Sequence, residues 1–358
     1  MPPTPYPQIL PAPPPSLLDP TTGEVPLKAL LTPTGLEILY YAQISLGTPQ
    51  QLLTVDIDTG SADAWIPVEC WQCANKEFIP ERSTTYSSDG DAFDVSYGSG
   101  DVSGIIASEV VSLASLSVSS QSFGAVNRVS AEWNEYPNDG LIGLAFSTIS
   151  VSSKPTVFEN LILQEKVAAP SFSIFLARGK EDGSSLCLGC WDPLKVSSRE
   201  GGRIYWASLM SKTYWSILMD GVIVNGQRAE LNLVAAIDTG TTLIYLPELV
   251  AAVFYKLIPG AKPSTEYGPE FYTFPCYGAP IQIAFSFEGQ PLSINMMDFN
   301  LGRTSASSSE CIGGIVSLGR GFPTNLAIVG DEFLKSWYTT FDYSNGGRVG
   351  FARSANEN

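Results

Sequence analysis

From about Leu36 the chain is written in short apolar runs broken by Gly, Asn, Asp and Pro. Representative runs are YYAQISL (40–46), LLTVDI (52–57), AFDVSYG (92–98), FSIFLA (172–177), IQIAFSF (281–287) and RVGFA (348–352). Their wealth of Val, Ile, Tyr and Phe and their spacing predict a mostly β protein. The Ser-rich stretch 112–122 still alternates apolar and small residues and reads as strand and loop. Helical spacing is confined to three places. In 155–166 Pro155 sits near a helix start and Val157, Leu161 and Ile162 form a stripe. Residues 247–258 open with Pro247 and stop at Pro259-Gly260, and 331–338 has room for one or two turns.

The first 26 residues break this pattern. Residues 1–20 hold nine prolines, no basic start and no apolar centre, so they read as an extended tail and not as a signal peptide. The organisation expected is a Pro-rich linker or processed remnant over 1–35, an N-terminal lobe over 36–177 and a C-terminal lobe over 178–358. No apolar run is long enough to span a membrane as a helix.

Composition narrows the chemistry. The 20 Lys and Arg stand against 36 Asp and Glu, a net charge of −16, which argues against a nucleic-acid partner. There is no histidine. That excludes Ser-His-Asp and Cys-His catalysis and every His-ligated metal, and leaves carboxylates to move protons in acid. Six cysteines fall into three pairs, Cys70 with Cys73, Cys187 with Cys190 and Cys276 with Cys311. An even count in an acidic chain favours disulfides and a secreted or vacuolar origin. A zinc site built from the two CxxC pairs is the rival, but Cys73 and Cys187 lie too far apart for the compact spacing of such sites.

The chain also repeats itself at long range. VDIDTGS at 55–61 is echoed by AIDTGTT at 236–242, and each is followed by an apolar run ending at glycine, GLIGLAF at 140–146 and LAIVGDEF at 326–333. Asp58 precedes Gly143 by 85 residues and Asp238 precedes Gly330 by 92. Two similar halves suggest two lobes with a site at their junction. In each Asp-Thr-Gly loop the glycine allows a tight turn whose N–H reaches the carboxylate, and Ser61 or Thr241 can hold the outer oxygen. One such loop is an ordinary turn signal, but two in equivalent places are not.

With these motifs the chain resembles the pepsin-like aspartic endopeptidases, from about Tyr40 to Ala352. YYAQISLGTP (40–49) is similar to the family's first strand and turn. DTGSADAWIP (58–67) is similar to its first active-site loop, with Trp65 at the family's tryptophan. VSYGSGDVSG (95–104) is similar to the β-hairpin flap, with Tyr97 at its tyrosine and Gly98 and Ser99 following. DGLIGLAF (139–146), YWSILMDGVIVNG (214–226), AIDTGTT and the segment 327–352 match the remaining elements. The resemblance implies a bilobal fold of two related β-barrel lobes with a cleft and a flap. It implies Asp58 and Asp238 as the catalytic pair, with Thr59, Gly60, Ser61, Thr239, Gly240 and Thr241 as loop support. Tyr97 would close over the substrate, its hydroxyl held by Trp65. Cys276–Cys311 fits the family's C-lobe disulfide, and Cys70–Cys73 sits where a small N-lobe loop is often bridged. The implied partners are peptide or protein substrates and pepstatin-like or proteinaceous inhibitors, the implied state is a monomer, and no metal or organic cofactor is implied. A pepsin fold kept only for binding or inhibition is the alternative, and the presence of Asp58, Asp238 and Tyr97 speaks against it.

Two features depart from that family. Asp56 shares a strand face with Asp58, at i and i+2, where the family usually has an apolar residue lining the pocket beside the scissile bond. Asp56, with Asp101 in the flap, is expected to accept Lys or Arg there, against the plainer reading of a solvated or locally bonded carboxylate. Cys187 and Cys190 match nothing in the family, and a bridge between them needs a turn, which Gly189 permits. Upstream of Tyr40 Lys28 is the single basic residue, so 1–35 is not expected to act as a basic inhibitory segment.

Overall fold

A computed structural model describes residues 19–198 and 201–357. The N-terminal half carries strands β1 (Gly23–Leu31), β2 (Glu37–Leu46), β3 (Gln51–Asp58), β4 (Ala64–Pro67), β5 (Ser87–Tyr97), β6 (Gly100–Leu113), β7 (Leu116–Val129) and β8 (Gly140–Gly143). It closes with helix α1 (Val157–Leu163) and strands β9 (Ser171–Phe175) and β10 (Ser184–Leu188). The C-terminal half opens with β11 (Ile204–Lys212), β12 (Trp215–Val224), β13 (Gln227–Ile237) and β14 (Ile244–Pro247), then helix α2 (Glu248–Lys256). Its last main strands are Ile315–Leu318, Leu326–Val329, Trp337–Asp342 and Arg348–Arg353.

The repeat seen in the sequence is a repeat of topology. In the first half β3 runs parallel to β8, from Val55↔Gly140 to Asp58↔Gly143, while β4 is antiparallel to β8 and parallel to β7. In the second, β13 runs parallel to Leu326–Val329, from Val234↔Leu326 to Ile237↔Val329. There β14 is antiparallel to that strand and parallel to Ile315–Leu318. Each aspartate loop therefore leaves a strand beside a glycine-bearing neighbour. A β-carbon on Gly143 would press on the Ser61 carbonyl, and one on Gly330 on the Thr241 carbonyl. Only glycine lets those backbones approach so closely.

The helices follow their local signals. Thr156 and Glu159 form a reciprocal capping box at the start of α1, and Val157, Phe158 and Leu161 are its buried residues. Pro247 precedes α2 as its N-cap. The third segment keeps a single helical turn, Asp331–Leu334, because Trp337 and Tyr338 already belong to the next strand.

A shared sheet joins the halves, in the order β1, β10, β9, Trp337–Asp342, Arg348–Arg353 and β11. This corrects the expected linker over 1–35, because residues 23–31 are a strand paired with both β10 and β2. Val25, Leu27 and Ala29 alternate into the core while Pro26 and Lys28 face out, a period-2 signal that the neighbouring prolines obscured. Residues 1–18 lie outside the described residues. β9 and β10, on either side of the expected boundary at 177/178, are paired neighbours in this sheet.

The structure bridges Cys70–Cys73, Cys187–Cys190 and Cys276–Cys311. Between the second pair, Gly189 takes φ +71° and supplies the turn.

Candidate active site

Asp58 ends β3, and its carboxylate is held by its own loop. Gly60 N–H donates to Oδ1 at 2.7 Å and Ser61 Oγ to Oδ2. Asp238 is held in the same way, by Gly240 N–H at 2.9 Å and Thr241 Oγ1 at 2.7 Å. The two loops then lock each other. Thr59 Oγ1 donates to the Ile237 carbonyl (2.9 Å) and accepts from Thr239 N–H (3.0 Å). Thr239 Oγ1 donates to the Ile57 carbonyl (2.6 Å) and accepts from Thr59 N–H (3.1 Å). Both threonines are buried. Four such hydrogen bonds, each contributing about 1 kcal/mol, fix two halves of the chain 180 residues apart. Replacing Thr239 with Val is expected to lower stability by about 2 kcal/mol through its two hydroxyl bonds, read as a lower unfolding midpoint.

This lock sets the carboxyls side by side. A β-carbon on Gly60 would collide with the Asp238 carboxyl, and one on Gly240 with that of Asp58. Burial first, and then the Asp238 carboxyl as charge and hydrogen-bond partner, push Asp58 up to about 8, against the pull of its Ser61 and Gly60 bonds. The pair therefore holds one proton in acid. Asp58 is buried, whereas Asp238 is only half-buried.

Strands β5 and β6 form the hairpin over this region, with Tyr97 opposite Gly100 and Ser96 opposite Asp101 at its tip. Gly98 and Ser99 make the exposed turn. Burial, then the Asp58 charge, hold the Tyr97 phenol well above its ordinary value, so it stays a hydrogen-bond donor. The Trp65 indole acts on the Tyr97 hydroxyl as a hydrogen-bonding neighbour, without completing a bond of full geometry. The Trp65 indole N–H and the Tyr97 hydroxyl are both buried with no other partner.

A family model described as eukaryotic aspartyl protease matches residues 39–354, nearly the whole folded chain. The chain belongs to the eukaryotic aspartyl proteases. It is similar to an aspartic protease of Phaffia rhodozyma, 37% identical over 336 residues that cover 91% of this chain and 79% of that one. Major aspartyl peptidase 1 of Cryptococcus neoformans is 32% identical over 347 residues, covering 90% and 70% of the two chains. Pepsin A of Gallus gallus is 33% identical over 316 residues, covering 86% and 82%. The protein is an aspartic-type endopeptidase with the bilobal pepsin-like fold, and its substrates are peptides. Among the described residues no helix is long and apolar enough to cross a membrane.

The protease carries further acids around this pair. Asp56 is buried, its Oδ1 has no partner, and burial followed by the Asp58 and Asp238 charges pushes its carboxyl well above the usual range. Asp101 is exposed near the hairpin tip, and its charge is felt at Glu132.

Sequence reasoning missed a buried charge network behind the Asp238 loop. Lys335 pairs with Glu37 at 2.8 Å and Glu332 at 3.0 Å, and Arg178 grips Asp298 through two bonds of 2.6 Å. Glu37, Asp298 and Glu332 outnumber the two cations. Burial first, then the Asp298 and Glu37 charges, push Glu332 up to about 8 even though Lys335 opposes them. Beside it Asp331 is raised well above its ordinary value, chiefly by burial, then by the Glu332, Asp238 and Asp56 charges despite Lys335. The signal available was Gly330 of the repeat, which places Asp331 and Glu332 directly against the second loop, where their N–H groups donate to Thr241 and Thr242 carbonyls.

Proposed function

We propose that Asp58 and Asp238 together activate one water for attack on a peptide carbonyl in acidic medium. The charged member of the pair takes the water's proton as the oxygen bonds to the carbonyl carbon, and the protonated member gives its proton to the carbonyl oxygen. The tetrahedral intermediate then collapses with proton transfer to the leaving amine, and no covalent enzyme intermediate forms. Tyr97, on the hairpin above, covers the substrate backbone and excludes bulk water. The observation that carries this reading is the reciprocal threonine lock, which fixes both carboxyls before substrate arrives. Hydrolysis of an unfolded protein at acidic pH, blocked by a statine-type transition-state mimic, is the direct test. A folded enzyme without that activity would fit the binding-only alternative. Paired cysteines and acidic composition support a secreted or vacuolar enzyme; a monomer open to pepstatin-like or proteinaceous inhibitors is proposed from its family alone.

The substrate preference is proposed to include Lys or Arg beside the scissile bond, received by Asp56. Its unpartnered oxygen on the face of β3 that carries Asp58 supports this. A bound ammonium or guanidinium would give that oxygen a partner and favour its ionised form. Asp56→Val is expected to lower kcat/KM for a Lys-containing peptide about tenfold while sparing its Leu counterpart. An unchanged ratio between the two peptides would discard the assignment.

A further inference from the structure

We propose that Trp133 is a positioning residue of the flap, seating Tyr97 for closure. The proposal rests on the assignment of Tyr97 to the flap and adds a residue that acts through it. Trp133 is the one buried residue of the short turn Ala131–Glu135. Its ring meets Tyr97 edge-on at 5.4 Å and 82°, and Trp65 edge-on at 5.1 Å and 79°. Trp133 is thus the ring that links the flap tyrosine to the strand following the first aspartate loop.

The polar atoms of this trio complement one another. The Tyr97 hydroxyl and the Nε1 atoms of Trp65 and Trp133 are all buried without a completed hydrogen bond. A phenol oxygen can accept, while an indole N–H can only donate. Inward movement of the hairpin over a bound peptide would add the Trp133 donor to that of Trp65 and leave the phenol proton facing the substrate. The Trp133 Nε1 already lies close under the flap tip, 3.2 Å from where a β-carbon on Gly100 would stand.

The turn that carries Trp133 is anchored on both sides. Toward the flap, Asp101 N–H donates to Ser130 Oγ (3.1 Å) and Ser130 N–H to the Asp101 carbonyl (2.9 Å). Away from it, Asn134 Nδ2 donates to the Gln72 carbonyl (3.0 Å) inside the Cys70–Cys73 loop, and Ala74 N–H donates to Asn134 Oδ1 (2.8 Å). Asn75 Nδ2 donates to the Tyr136 and Asn138 carbonyls, both at 2.8 Å. The bridged loop, Asn134 and Trp133 form an anchored seat beneath the hairpin tip.

A double-mutant cycle on the full chain separates this role from simple core packing. Steady-state kcat and KM on one peptide are measured for the parent, Trp133→Leu, Tyr97→Ala and the double variant. Trp133→Leu is expected to lower kcat/KM about tenfold when Tyr97 is present and less than about twofold when it is Ala. An equal loss in both backgrounds overturns the proposal while leaving the flap assignment standing. Full activity in Tyr97→Ala overturns the flap assignment and the proposal with it. Should Trp133→Leu fail to fold, Asn134→Ala enters the same cycle, with a loss of about threefold expected only beside Tyr97. A loss independent of Tyr97, or none, overturns the proposal.

Discussion

Asp58→Asn is expected to reduce kcat on a peptide substrate in acid by about 10³-fold or more, with the unfolding midpoint little changed. The amide has nearly the shape of the carboxyl: its oxygen in the Oδ1 place still accepts from Gly60 N–H, and its NH2 in the Oδ2 place donates to Ser61 Oγ, whose hydroxyl turns to accept. What it loses is the ability to take or give a proton, a contribution of roughly 10²–10⁴ in rate for one acid–base group. Two roles are lost together, because a proton once shared between Asp58 and Asp238 has one carboxyl left to hold it. Asp238→Asn is expected to cost a similar factor, since the halves act as a unit and their losses do not add. The measurement is kcat at several acidic pH values beside a thermal melt of each variant. A variant with Asn at 58 that keeps its activity would sink the catalytic pair.

The unfolding midpoint is expected to fall as pH rises from about 4 to about 8. Asp58 and Glu332 each stand at about 8 in the folded chain, from ordinary values of 3.8 and 4.5. Asp56 and Asp331 are raised in the same direction. Between the ordinary and the raised values the folded chain binds more protons than the unfolded chain, so raising the pH drives unfolding. Each such group contributes a slope of at most about 1.4 kcal/mol per pH unit within its window. Stability is thus greatest at the acidic end and is lost toward neutrality. Glu332→Gln is expected to flatten the dependence. It removes one group that must ionise while buried and leaves Lys335 paired with Glu37. The melt of this variant should match the parent near pH 4 and exceed it near pH 7. Parallel curves for the two proteins would show that Glu332 is not among the responsible groups.

The parts of the molecule that local chemistry determines were legible in the sequence. Both aspartate loops are short, self-bonded turns, and the glycines opposite them, Gly143 and Gly330, were marked by the repeat. The start of α2 follows from Pro247 as read, whereas the start of α1, read from Pro155, is set by the Thr156–Glu159 capping box. Contacts between distant residues were not legible. Glu37, Asp298 and Lys335 are ordinary charged residues until the fold buries them together, and only Glu332, beside Gly330 of the repeat, carries a local marker. Trp133 was hidden in the same way, as a lone aromatic in a loop. At β1 two local signals competed, and the prolines outweighed the alternation of Val25, Leu27 and Ala29. Asp101 lies opposite Ser96 near the tip of the β5–β6 hairpin, and its N–H is held by Ser130 Oγ, a contact its motif did not announce.

The sheet that joins the halves sets the timing of assembly. Its members come from residues 23–31, from the middle of the chain and from residues 337–353, so its pairings span most of the polypeptide. Closures over such separations are slow and come late in folding. During synthesis both aspartates leave the ribosome well before the strands that complete this seam. A nascent chain therefore carries its reactive groups without the frame that makes them dangerous, and the cell that makes the enzyme meets it as an active protease only after residues 337–353 have joined the sheet.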